Sequence, residues 1–322
     1  MRLPQHLLES PFFSFTSLAE FVKALGEEAP PIEIEEVKRL AALGLPPITS
    51  RYALATMIGV NPGLIWSFES RPQRHYRSFS IPKGRTVRKI DAPRVALKIV
   101  QKWLSVQLQR VFQPMDHIYG FVCGRSHIEA ATAHTSARWV FSVDIKDFFQ
   151  STPKELVAQS LQDLGFSEPA ATLIASLSCL RGVLAQGAPS SPVLSNISFR
   201  KIDEQLVQVA LKHGVRVSRY ADDIVFSGLK EFPEVLRQET ADLFANGHWR
   251  LADQKTKLFV HPQRLKVHGL LVHSEKVRLT KGYRNKLRAY RHLLTQGHIR
   301  DDDLAKVKGH LNYQMQVDKQ RQ

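Results

Sequence analysis

The adjacent carboxylates in Tyr220-Ala221-Asp222-Asp223 are the residues whose types and spacing first suggest chemistry. Like charges a few ångströms apart resist joint ionisation, so a hairpin tip carrying both is unfavourable unless something positive lies beside them. A hard divalent cation answers that objection, because Mg²⁺ takes one or two carboxylates and completes its shell with waters and substrate phosphates. Asp144, at the end of the apolar run Trp139 to Asp144, supplies a third carboxylate if its strand neighbours the hairpin. Three carboxylates can hold two metals about 3.5–4 Å apart, an arrangement that stabilises both the attacking and the leaving oxygen in phosphoryl transfer. The implied reaction is nucleotidyl transfer. Taken alone, the tetrapeptide also reads as an exposed acidic turn, since a Tyr-x-Asp-Asp match arises by chance at about the per cent level in a chain of this length.

The elements that would position these groups are short strands. Trp139 to Asp144 is apolar, aromatic and β-branched, as a buried strand requires. Val215 to Arg219 and Ile224 to Ser227 read as two strands of a tight hairpin around the acidic pair. After the first strand, Thr152 is expected to cap a helix with Pro153 at its first position and Glu155 completing a capping box, and Ser167 to cap another with Pro169 inside it. Upstream, helices are expected at Ser17 to Leu25, Ile32 to Leu43 and Ser50 to Ile58, then one capped by Asn61 and opened by Pro62. A basic two-stranded hairpin is expected over Arg77 to Ile90, and helices over Val95 to Phe112 and Ile128 to Ala133. Strands alternating irregularly with helices predict an antiparallel sheet in an α+β layout.

The charge names a partner class. The chain of 322 residues carries 45 Lys and Arg against 30 Asp and Glu, a formal net charge of +15. Residues 1 to 50 are slightly acidic, with 4 basic and 7 acidic side chains, whereas residues 255 to 322 hold 16 basic and 5 acidic ones. A second basic block runs from Arg71 to Lys102, with ten Lys or Arg against Asp91 alone. Same-sign clusters of this kind are the footprint of phosphate binding. The 43% hydrophobic content excludes disorder throughout. No run of 18 apolar residues occurs, and Pro, His and Glu interrupt the first residues, so neither a membrane span nor an export signal is expected. Cys123 and Cys179, the two cysteines, support neither a disulfide framework nor a four-Cys zinc site and read as small core residues in a reducing cytoplasm.

Three further segments complete the pattern. Ser142-Val-Asp-Ile-Lys-Asp-Phe-Phe149, Gln186-Gly-Ala-Pro-Ser-Ser-Pro192 and Arg219-Tyr-Ala-Asp-Asp-Ile-Val-Phe-Ser227 stand in the order and spacing of reverse transcriptase motifs. Leu251 to Lys257 and Lys266 to Leu271 extend the match, which covers about Phe79 to Val272. The chain most resembles the bacterial retron reverse transcriptases. Two segments depart from that group: Val267-His268-Gly269 stands where Val-Thr-Gly is usual, and Ala130-Ala-Thr-Ala-His134 where Asn-Ala-x-x-His is usual.

The resemblance implies a right-hand polymerase fold, α+β, with fingers, a palm bearing the antiparallel sheet and a short helical thumb. The implied division is a helical extension over 1–50, fingers over 51–115 and 151–190, palm over 116–150 and 191–274, and a basic thumb or RNA-binding region over 275–322. Asp144, Asp222 and Asp223 would be catalytic and hold two Mg²⁺ ions, for which Mn²⁺ can substitute, with the Ile145 carbonyl as a further ligand. Lys83 and Arg88, from a segment that includes Arg85, would meet the triphosphate. Asp147, Phe148 and Phe149 would border the nucleotide, the Phe149 ring excluding a ribose 2′-OH. Gln186 and Gly187 would complete that pocket, with Pro189 beside them. Lys255 would protonate the pyrophosphate leaving group. Val267, His268 and Gly269, with Lys281, Arg284 and Arg288, would contact RNA or primer. The implied activity is synthesis of a short cDNA from dNTPs on a structured noncoding RNA, primed from a guanosine 2′-OH, in a cytoplasmic antiphage system with an effector protein and no membrane. Related enzymes that work without a template or from a protein primer, and a catalytically silent RNA-binding scaffold, are the competing readings. Neutralising Lys281, Arg284 and Arg288 together is expected to weaken RNA binding and flatten its dependence on salt, read as the slope of log K against log salt concentration.

Overall fold

A computed structural model of the chain describes residues 4–84 and 86–319; Arg85 lies outside the described residues, as does the side chain of Lys83. Helices α1 (Gln5–Glu9), α2 (Leu18–Leu25), α3 (Pro31–Ala42), α4 (Arg51–Ile58) and α5 (Pro62–Ser70) open it. The Ser17 and Ser50 hydroxyls accept from the third amide of α2 and α4, and, as the sequence predicts, Asn61 caps α5 ahead of Pro62. The basic hairpin follows as β1 (Tyr76–Lys83) and β2 (Thr86–Pro93), then α6 (Val95–Val111) and α7 (His127–Thr132). Next come β3 (Trp139–Asp144), α8 (Lys154–Asp163), α9 (Glu168–Ser178), the short strands β4 (Cys179–Leu180) and β5 (Val183–Leu184), and α10 (Ser191–His213). The hairpin β6 (Arg216–Tyr220) and β7 (Asp223–Gly228) leads to α11 (Val235–Ala245) and β8 (Lys257–Val260). β9 (Lys266–Val267), β10 (Leu270–Leu271), β11 (Arg278–Leu279), α12 (Lys281–Thr295) and α13 (Asp301–Lys319) close the described chain. Among the described residues no helix is long and apolar enough to cross a membrane.

The chain divides into two compact units, one of Met1–Pro114 with Asp147–Lys201 and one of Met115–Lys146 with Ile202–Gln322. In the first, α6 is the central strut. Its Trp103 is fully buried and donates to the Ser10 carbonyl at 2.8 Å, and the buried Gln101 amide donates to Tyr76 Oη and the Leu177 carbonyl, each at 2.7 Å. Buried amides are satisfied in this way because leaving one unpaired is costly.

In the second unit a four-stranded sheet runs in the order β6-β7-β3-β8, antiparallel throughout. The register sets Phe141 opposite Phe226, Val143 opposite Ile224 and Asp144 opposite Asp223, so apolar pairs lead up to a carboxylate pair at one end of the sheet. A smaller sheet, β11-β10-β9, shares one apolar cluster with it, in which Ile128, Val140 and Val225 meet Val267, Leu279, Leu287 and Val317. Leu287 is the buried residue of α12, and Lys281, Arg284 and Arg288 lie exposed around it.

Two buried polar groups cross this unit. Arg219 and Asp203 are both fully buried and form a two-pronged pair, Nε to Oδ1 at 2.7 Å and Nη2 to Oδ2 at 2.6 Å. His134, also fully buried, places its two ring nitrogens 2.7 Å from the hydroxyls of Ser227 and Ser218.

Three sequence expectations are corrected, the first being Ser167, which stands at the cap position of α9 but makes no side-chain cap bond. Thr152 is not the N-cap of α8: its buried hydroxyl donates to the Phe148 carbonyl and Pro153 takes the cap position in an extended conformation, so α8 begins one residue later with no side-chain cap. Cys123 is exposed rather than part of the core, whereas Cys179 is buried as expected.

Burial, reinforced by the charge of Arg216, depresses the His134 imidazole to about 3, from an ordinary value near 6.5. Below about pH 6.5 the unfolded chain therefore binds a proton that the folded chain refuses, and His134 lowers stability as pH falls towards 3 by up to about 1.4 kcal/mol per pH unit. Denaturant titrations from pH 7 to pH 4 are expected to show this slope, and His134→Asn to lessen it by about one proton. Replacing Asp203 with Ala strands a buried guanidinium and is expected to cost about 3–5 kcal/mol, read as a lowered unfolding midpoint.

Candidate active site

The acidic hairpin is held from behind. Tyr220 and Asp223 pair across β6 and β7, leaving Ala221 and Asp222 as a two-residue loop. Ala221 has φ of +59°, the sign a type II′ turn demands at its first central residue, where glycine is the easy choice. The Arg219 guanidinium donates from Nη1 to the Ala221 carbonyl at 3.1 Å, so the buried pair with Asp203 also fastens the turn. The segment before α7 braces the other side: Arg219 N–H donates to the His117 carbonyl at 2.8 Å, and Tyr119 N–H to the Arg219 carbonyl at 2.9 Å. Gly120 is required there, since a Cβ would sit 2.1 Å from the Ala221 nitrogen.

The end of β3 is tied to the same loop. Ile145 N–H donates to the Asp222 carbonyl at 2.8 Å, and the Asp144 carbonyl accepts from Ala252 N–H at 2.8 Å. That second bond docks the turn Asp253–Lys255, and Lys255 Nζ lies 2.5 Å from Asp144 Oδ1. On the far side, His268 Nδ1 lies 3.2 Å from Asp223 Oδ2, and its ring packs against Tyr220 with centroids 5.2 Å apart. Asp222 has neither Lys255 nor His268 at such range. Burial, then the charge of Asp144, raises its carboxyl above the usual carboxylate range, and Asp223 adds to the effect while Lys255 opposes it.

Asp144, Ile145, Asp222, Asp223 and Lys255, set apart along the sequence, therefore converge in one unit. Among the described residues no three His, Cys, Asp or Glu side chains already form a metal cage. The donor chemistry nevertheless fits a hard divalent cation: the donors are carboxylate oxygens, and the repulsion that disfavours the Asp222 anion is what a cation relieves. Val267 is buried and Gly269 is exposed, while the His268 side chain, only 9% exposed, turns inward to Asp223.

The other expected residues belong to the first unit. Arg88 is exposed on β2, and Lys83 ends β1. Gln186 accepts from Asp91 N–H through its carbonyl at 2.8 Å, and its side-chain Oε1 accepts from Gln150 at 2.7 Å. Gly187 has φ of +127°, and a Cβ there would meet Ile90 Cγ2 at 2.9 Å, so the close approach this glycine permits is to β2. Asp147 is exposed with φ of +48°, Phe148 is buried against Phe199, and Phe149 is half-buried beside Phe148. Asp203, Gly120 and the inward turn of His268 were not foreseen. A buried acid inside a helix and a lone glycine carry no local signal; Arg219 stood within a quoted motif, but its burial did not show.

The reverse transcriptase (RNA-dependent DNA polymerase) family profile matches residues 81–284. The chain is 30% identical over 298 residues to the retron Mx65 reverse transcriptase of Myxococcus xanthus, covering 85% of this chain and 69% of that one. It is 27% identical over 288 residues to the retron Ec86 reverse transcriptase of Escherichia coli, covering 87% and 88%. Among solved structures, a Candida albicans telomerase in complex with a telomeric RNA fragment aligns over 70% of this chain and 51% of that one, with a TM-score of 0.48 and 10% identity. With its antiparallel strands and mixed layers, this α+β chain has the right-hand polymerase class of fold, and it belongs to the reverse transcriptase family, among the bacterial retron reverse transcriptases, as an RNA-directed DNA polymerase.

Proposed function

We propose that this enzyme copies a dedicated structured noncoding RNA into a short single-stranded cDNA, beginning from a guanosine 2′-OH, and that it does so in antiphage defence beside an effector protein. The observation that carries the catalytic part is the convergence of Asp144, Asp222 and Asp223 on the paired ends of β3 and β7. The retron part rests on relatives that align with most of this chain. In this reading the first unit supplies the fingers, and the second the palm and, through α12 and α13, the basic thumb.

The three carboxylates would hold two Mg²⁺ ions, which when bound supply Lewis-acid stabilisation of the attacking and leaving oxygens. The priming hydroxyl attacks the α-phosphorus of the dNTP, forming the new phosphodiester as the bond to pyrophosphate breaks. Lys255, whose ammonium is held at Asp144, gives a proton to the departing pyrophosphate oxygen. Arg88 binds triphosphate oxygens with its planar fork of donors. Gln186 orients the incoming nucleotide. Phe149, five residues after Asp144, blocks a ribose 2′-OH and so selects dNTPs. The exposed basic face of α12 grips the phosphates of RNA or of the RNA–DNA duplex.

Purified protein given a primed RNA, dNTPs and Mg²⁺ is expected to incorporate deoxynucleotides. Asp222→Ala with Asp223→Ala removes interactions worth several kcal/mol and is expected to lower the rate by about 10³-fold or more. Activity persisting in that double variant would sink the active-site assignment. With RNA encoded beside the gene, the first product is expected to carry a 2′–5′ linkage; an RNA-free or protein-linked product would count against the retron mode of priming.

A further inference from the structure

We propose that His268 is the positioning residue for Asp223: its ring, with Nδ1 3.2 Å from Asp223 Oδ2, fixes the orientation of that carboxylate at the acidic turn. The inference rests on the assignment of Asp223 to the active site. In this proposal Nδ1, 3.2 Å from Oδ2, is the ring nitrogen that bears the proton, because a carboxylate only accepts hydrogen bonds. Nε2, on the other side of the ring, is buried and has no hydrogen-bond partner.

The backbone reinforces the point. His268 and Gly269 form the two-residue loop between β9 and β10, where Val267 pairs with Leu270. Their φ values of +47° and +85° meet the requirement of a type I′ turn for positive φ at both positions. Glycine or asparagine would occupy the first position with less strain than histidine. The chain therefore bears two local costs at one residue, a left-handed backbone under a large side chain and an orphaned buried nitrogen, and the stability of the turn explains neither. The ring lies against the Asp223 carboxylate and, tilted by 51°, against the Tyr220 ring, and both flank the acidic turn. Val-Thr-Gly at this turn would carry a side chain too short to span the same gap, so the hold on Asp223 is a property of the histidine itself.

The mechanism is orientation. Asp223 is 39% exposed and, at the mouth of a hairpin, would otherwise sample several rotamers. A donor fixed on Oδ2 leaves Oδ1 turned consistently for a cation, and partners of this kind behind metal-binding carboxylates are worth about 10–100-fold in metal affinity or activity.

Two substitutions separate positioning from folding. His268→Gly removes the donor, the orphan nitrogen and the strain together, and is expected to unfold at the same temperature as the parent or higher. Mn²⁺ binding to the nucleic-acid-free protein, followed by electron paramagnetic resonance, is expected to weaken about tenfold in that variant. His268→Asn keeps a side-chain N–H near the Nδ1 position and tolerates the left-handed backbone, so it is expected to recover most of the affinity. In primer extension the half-saturating Mg²⁺ concentration should rise for Gly and return towards the parent for Asn. Asp223→Ala is the control that tells the two failures apart. If Asp223→Ala weakens Mn²⁺ binding and His268→Gly leaves it unchanged, the positioning role is overturned and the active site stands. If Asp223→Ala changes neither Mn²⁺ binding nor incorporation, the assignment of Asp223 fails and the role of His268 falls with it. Equal losses in both His268 variants, accompanied by a lowered unfolding temperature, would make the residue structural and overturn the proposal.

Discussion

A guanidinium with no exposure has to be neutralised where it lies, and the pairing of Arg219 with Asp203 organises much of the second unit. Both prongs of the fork are used, which fixes the direction in which Arg219 points. The remaining terminal nitrogen reaches the Ala221 carbonyl, while the backbone of the same residue pairs with the segment at His117 to Gly120. One residue thus joins α10, the strand β6, the bracing segment and the acidic turn. Buried ion pairs of this kind add little net stability, because desolvation offsets most of their attraction. What the pair supplies instead is a single permitted position for the turn, and the carboxylates that follow take their places from it.

The second constraint is charge balance at those carboxylates. Asp144 and Asp223 stand opposite each other by strand register, and Asp222 lies between them in sequence and in field. Antiparallel pairing at a sheet end brings like charges to a separation that water alone would not favour. Lys255 Nζ stands at Asp144 and His268 Nδ1 at Asp223, while Asp222, whose carboxyl is pushed up by burial, has neither within ion-pairing distance. That crowding of carboxylates is what a hard divalent cation would relieve.

What the sequence revealed follows from where the deciding physics lies. Ser17, Ser50, Asn61 and Pro62 act within a turn of themselves, so α2 and α4 were readable to within a residue and the start of α5 was too, whereas α1 was not foreseen. The strands β3, β6 and β7 declared themselves by apolar runs, and their motifs identified the carboxylates before any geometry was known. Thr152 misled because a buried carbonyl, that of Phe148, competed for its hydroxyl and won. Cys123 misled because apolar neighbours are weak evidence of burial when Phe121 and Gly124 both have positive φ in a surface turn. Asp203 and Gly120 were silent because their partners lie far away in sequence, and no local pattern distinguishes a buried acid from an exposed one on a helix. The inward turn of His268 was hidden for the same reason: the motif marked its position, and only the fold shows what its ring touches.

The distribution of backbone strain ties these threads together. Seven described residues other than glycine have positive φ, and three of them, Asp147, Ala221 and His268, fall one in each of three motifs recognised by sequence. Strained conformations persist only where surrounding contacts over-determine them, and they gather where a side chain must be aimed rather than merely packed. At Ala221 the over-determination is visible as the Arg219 prong and the close face of Gly120. At His268 it is the hairpin register on one side and the Tyr220 ring on the other. Two adjoining turns, neither built from the residues that would suit its backbone best, thus face each other across Asp223. A chain selected for stability alone would relieve both with glycine or asparagine, and retaining alanine and histidine there points to the carboxylate between them as the group being aimed.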